Sequence, residues 1–135
     1  MKLTLLHFLF LCLGFCAQAQ FKAIGFNADE IKKQFKGELT EKKSASGQIY
    51  FLAQDKDGRF SYRIFLSKES AICNRMIVVP STKDELDKLI KVAEENYTSI
   101  SATQWQTSYN KKPTSVKIDV IGDQSVLIWE LLATN

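Results

Sequence analysis

Apolar and polar positions alternate with two different periods along the chain, and the switches between them mark out its elements. Asn27 can cap a helix that Phe26-Asn27-Ala28-Asp29-Glu30-Ile31 opens, with Glu30 three residues on and Phe26 and Ile31 at the staple positions. Ile31 and Phe35 share a face, and Gly37 is the expected stop. Glu38 to Ser46 is polar and is expected to be a loop. Two β-rich runs, Gln48 to Gln54 and Arg59 to Ser67, then flank Asp55-Lys56-Asp57-Gly58 and predict a hairpin. In the second run Phe60, Tyr62, Ile64 and Leu66 alternate with Ser61, Arg63, Phe65 and Ser67, so one face is buried and the other partly wet. Ala71 to Val79 predicts a third strand after the turn at Lys68-Glu69-Ser70.

The period then changes. Thr82-Lys83-Asp84-Glu85 is a T-x-x-E capping box, and Leu86, Leu89, Ile90, Ala93 and Tyr97 form one apolar stripe at helical spacing. Asp84–Lys88 and Asp87–Lys91 are expected ion pairs on its outer side. Alternation returns in Gln104 to Tyr109 and in Ser115 to Ile121, separated by an Asn110–Thr114 turn. After Gly122-Asp123, Gln124 to Leu132 is a last strand, apolar on both faces. The reading is an α+β domain of order α-β-β-β-α-β-β-β, an antiparallel sheet of about six strands with two helices on one face.

The N-terminus changes the picture of where this domain acts. Lys2 precedes an almost unbroken apolar run from Leu3 to Phe15, and Ala17-Gln18-Ala19 supplies an A-x-A site. Residues 1–19 are thus expected to be a signal peptide and 20–135 the single domain, periplasmic or secreted. The run is shorter than the roughly 20 apolar residues a bilayer demands, so no membrane anchor is expected after cleavage. Cys16 follows Phe15 and Cys12 follows Leu11, neither a good context for lipidation.

Composition narrows the chemistry. The 135 residues are 45% hydrophobic and 24% charged, which argues for a packed core and against disorder. The formal charge of +3 falls to +2 without Lys2, too little to argue for a nucleic-acid partner. The one histidine, His7, lies in the leader, so no imidazole remains for a catalytic triad or an HExxH zinc site. Cys73 is left alone, reads as a small hydrophobe in a strand, and lacks a histidine to activate it. Asp55-x-Asp57-Gly58 resembles the start of a calcium loop, but the twelfth position is Leu66 and the flanks are strands. Glu130, beside Trp129 in an apolar strand, is the carboxylate to watch, since burial would raise its pKa as a general acid requires. The clusters Lys32, Lys33, Lys36, Lys42, Lys43, Lys111 and Lys112 read as solvated faces. No catalytic residue, metal site or cofactor is assigned.

The run CNRMIVVPSTKDELDKLIKVAEENYTSISATQW, from Cys73 through Trp105, sits between the AQAQ leader and Ile128-Trp129-Glu130. Together these features resemble small uncharacterised exported proteins of Bacteroidota-type bacteria. The element order is also similar to the α+β domains of secretion chaperones and small periplasmic inhibitors, a likeness of fold and not of chemistry.

If the helices cover the face that carries Tyr62 and Ile64, Arg63 points the other way, with Phe65, Arg75 and Lys117 beside it. Arginine next to an aromatic side chain suits a protein interface. The expected function is therefore an exported non-catalytic protein-binding domain, inhibitor- or immunity-like, with these four residues contacting a protein partner. The alternative is a carrier of a small apolar ligand held between the second helix and the sheet near Tyr97, Trp105 and Trp129.

Overall fold

The computed structural model describes residues 21–133, and the leader expected at 1–19 lies outside them. The chain forms helix α1 (Ala28–Gln34), strands β1 (Gly37–Lys43), β2 (Ile49–Asp55), β3 (Phe60–Leu66) and β4 (Cys73–Pro80), helix α2 (Lys83–Asn96), then β5 (Thr98–Ser101), β6 (Gln104–Tyr109), β7 (Lys112–Ile121) and β8 (Gln124–Leu131). All strands join one antiparallel sheet in the order β1-β2-β3-β4-β8-β7-β6-β5. Each half is a helix followed by a four-strand meander, and the last strands of the two meanders pair at the centre.

The six-strand expectation and its element order are overturned: the sheet has eight strands, and each helix is followed by four. The two unforeseen strands are the edges. β1 lies within the stretch read as a loop, and β5 fills the gap between α2 and β6. Both are almost wholly exposed, with sequences GELTEKK and TSIS. An edge strand of this kind is held by its backbone ladder and has little side-chain burial to reveal it. The Asn110–Thr114 turn is also shorter than expected, because β7 already begins at Lys112.

Both helix starts follow from their caps. The Asn27 side chain accepts a hydrogen bond from the Glu30 backbone N–H at 2.9 Å and donates through Nδ2 to Glu30 Oε1 at 3.1 Å. Thr82 Oγ1 accepts from the Glu85 N–H at 3.2 Å. The Glu85 carboxylate is held by Arg59 at 3.1 Å, which ties the β2–β3 hairpin to the start of α2. It also draws Lys88, at 3.3 Å, so the ion pairs on α2 are Lys88–Glu85, Lys83–Asp87 and Lys91–Glu95 in place of the two expected.

One core lies between the helices and the sheet. Ile31 and Phe35, on and just after α1, and Leu89 and Ala93 of α2 meet Phe51, Tyr62, Ile64, Met76, Val78, Trp105, Val116, Leu127 and Trp129 from six strands. Phe35 stands edge-on to Tyr62 at 5.7 Å between ring centroids, with Phe21 against both rings. Among the described residues no helix lies over the opposite face of the sheet. This outer face presents a second, smaller buried cluster of Ile77, Val126 and Ile128, with Phe65 and Val79 against it.

Candidate functional site

Strict alternation in the central strands decides which side chains reach the outer face. With Tyr62 and Ile64 turned into the core, Arg63 and Phe65 point outward. The register then builds two rows across the sheet. One runs Lys42, Tyr50, Phe65, Arg75, Glu130, Ser115; the other runs Thr40, Leu52, Arg63, Ile77, Ile128, Lys117. All four residues expected to contact a partner therefore share the outer face. Arg63 and Lys117 bracket the buried pair Ile77 and Ile128, three strand spacings or roughly 14 Å apart.

The first row is a layered stack. The Tyr50 and Phe65 rings lie 5.7 Å apart and 24° from parallel, and the Arg75 guanidinium sits 5.7 Å from the Phe65 centroid on the next strand. A guanidinium over a ring keeps its donors free at the rim while its flat face is desolvated. Ile77 and Ile128 are only 4% and 2% exposed, although among the described residues neither helix covers them. They cluster with Val126, and Phe65 and Val79 pack against them. Next to Arg63 a shallow open groove of about 410 Å³ runs over Thr40, Leu52, Gln54, Val79 and Gln124. Its walls mix hydroxyls and amides with the charged Glu38 and Arg63, and Leu52 is the large apolar side chain at the surface.

Tyr50, Leu52 and the pair Ile77–Ile128 belong to this surface and were not singled out in the sequence. The signal was present for the first two. Tyr50, Leu52 and Gln54 occupy one parity of a strand whose other parity, Phe51 and Ala53, is buried. Without β1, nothing indicated that this parity faces a broad platform.

Glu130 is exposed on the outer face opposite Arg75 in the register, away from the core, so it is not a buried acid. Cys73 is fully buried, and burial pushes its thiol up to about 12. A thiol so placed stays protonated and donates to the Arg75 carbonyl at 3.4 Å. Asp55-Lys56-Asp57-Gly58 closes the β2–β3 hairpin through a Gly58 N–H to Asp55 carbonyl bond of 3.1 Å. Among the described residues no group of three or more His, Cys, Asp or Glu side chains is placed to hold a metal ion.

Tyr97, Trp105 and Trp129 come together on the helix side. Both indoles are 1% exposed and are packed into the core. The Tyr97 and Tyr109 hydroxyls meet, and Trp129 Nε1 donates to the Tyr109 hydroxyl at 3.2 Å. Burial, with Tyr97 adding to it, holds the Tyr109 hydroxyl protonated far above the ordinary tyrosine range. These side chains fill the layer between α2 and the sheet with their own polar contacts. The open groove lies on the other face.

Compared with known protein families, with curated proteins and with solved structures, the chain matches none.

Proposed function

We propose that this chain is an exported, non-catalytic protein-binding domain, inhibitor- or immunity-like, whose outer sheet face grips a protein partner. The single observation that carries the reading is the convergence of Arg63, Phe65, Arg75 and Lys117 around the buried Ile77–Ile128 pair, on the face that neither helix covers. Cations set beside apolar and stacked aromatic groups complement a partner surface that mixes Asp or Glu with apolar side chains. Arginine anchors in such a setting are typical binding hot spots. Cys73 is fully buried, so its thiol is not offered at this surface.

The test is affinity capture from the envelope and secreted fractions of the producing cell. Three baits are compared: wild type, the outer-face double variant Arg63→Glu/Arg75→Glu, and the helix-side control Lys83→Glu/Lys91→Glu. A protein retained by wild type and the control but lost from the outer-face variant, with affinity down about 30-fold or more, is the expected result. Retention of the same proteins by all three baits, each with an unchanged circular dichroism spectrum, would falsify the assignment of this face.

A further inference from the structure

The two edges of the sheet are built differently. β5 is four residues long, and its pairing with β6 slips between Ser99 and Ser101. A short, bulged strand is a poor template for further pairing. β1 is seven residues long and pairs with β2 in unbroken register from Gly37↔Asp55 to Lys43↔Ile49. Among the described residues its other side pairs with no strand, and all of its side chains except Leu39 are exposed.

Charge on an edge strand normally blocks pairing, but here the signs are arranged so that β1 complements itself. We propose that β1 is a homodimerisation edge, pairing antiparallel with β1 of a second copy about a two-fold axis through Thr40. In that register Glu38 lies opposite Lys42 of the second copy, and Lys42 opposite its Glu38. Both pairs fall on the outer face, because positions 38, 40 and 42 share its parity. This register also overlaps all seven residues of the strand. Sliding it by two positions shortens the ladder and removes both ion pairs; in one direction it also sets Glu41 against Glu41. Sliding by one position would join the outer face of one copy to the helix face of the other.

The inner side of the junction is prepared as well. Glu41, which would meet Leu39 of the second copy, already has its charge balanced by Lys32 of α1 at 2.9 Å. Lys43 meets Gly37 of the second copy, where no side chain competes for space. The dimer leaves Arg63, Arg75 and Lys117 uncovered and sets two outer faces side by side.

Sedimentation equilibrium on purified protein tests this, with charge reversals at the exposed positions. Wild type is expected to self-associate reversibly, more weakly as salt rises. Lys42→Glu or Glu38→Lys alone sets like charges opposite each other twice per dimer and should raise the dimer Kd about tenfold or more. The double reversal Glu38→Lys/Lys42→Glu restores both pairs and should return the Kd to near the wild-type value. A chain that stays monomeric up to about 1 mM overturns the proposal. So does a dimer whose Kd ignores the single reversals, or one that the double reversal fails to restore.

Discussion

Gly37 offers the sharpest test of how the first half of the sheet is assembled. As a sequence feature it reads as a helix stop, yet α1 is capped at Phe35 in extended conformation, two residues earlier. Gly37 instead opens β1 with φ +153°, and its α-carbon lies against β2. A methyl group placed there overlaps the backbone oxygen of Gln54, comes within 3.2 Å of the same carbonyl carbon, and lies 3.0 Å from Cε1 of Phe35. Carbon pairs prefer ~3.5–4.0 Å, and a backbone carbonyl cannot rotate away as a flexible side chain can. Gly37→Ala must therefore push β1 off β2 near the Gly37↔Asp55 pair or distort α1's docking through Phe35. One or two weakened ladder bonds at about 1 kcal/mol each, plus about 1 kcal/mol for the unfavourable backbone angle, give a loss of roughly 2–3 kcal/mol. Gly122→Ala is the control. It shares a positive φ, +66°, but the added methyl meets nothing within 4 Å. Its loss is confined to the backbone contribution of about 1 kcal/mol. Urea denaturation followed by tryptophan fluorescence, with Trp105 and Trp129 in the core, measures both. Equal losses for the two variants would refute the close-approach argument.

Three further outcomes concern polar groups that folding takes wholly or partly out of water. Burial raises the Asp55 carboxyl above its ordinary 3.8 despite the hydrogen bond from Tyr62, so the folded state holds that proton more tightly than the unfolded chain does. Stability is therefore lost as pH rises from the ordinary value through the raised one and recovered on acidification. Asp55→Asn should accordingly melt higher than wild type at pH 7, with the gap closing below about pH 4; a gap independent of pH would contradict this. Tyr109→Phe strips the Trp129 N–H and the Tyr97 hydroxyl of their shared partner. It should lower stability by about 1–3 kcal/mol in the same urea assay, whereas no loss would mean that water replaces the hydroxyl. Cys73 should resist iodoacetamide at pH 8 in native protein and react once urea unfolds it, so fast native labelling would contradict its burial.

The outer face shows how far pattern alone can reach. The period-2 alternation of Phe60 to Ser67 was enough to send Arg63 away from Tyr62, because successive strand side chains must point oppositely. It could not show that Tyr50 stacks on Phe65, since that depends on which residue of β2 lies opposite Phe65. Nor could it show that Ile77 and Ile128 are neighbours: β4 and β8 come from different halves of the chain and meet only at the centre of the sheet. The Tyr97–Tyr109–Trp129 contact is likewise non-local. It is formed by residues separated by a helix end, a hairpin and two strands.

Local determinants were readable because they act within a few residues. The side chains of Asn27 and Thr82 cap helices through donors three positions away, the turn at Asp55–Gly58 closes on itself, and the stripe on α2 follows from helical geometry. The sequence also settled that any chemistry beyond residue 19 must proceed without histidine. Tertiary structure alone decided the strand count and order, the long β1 edge with its self-complementary charges, and the reason glycine stands at position 37. These rest on backbone hydrogen bonds between strands, in neighbouring hairpins for β1 and β5 and across the two halves of the chain for β4 and β8. Backbone groups are alike in nearly every residue, so such pairing leaves little trace in the side chains.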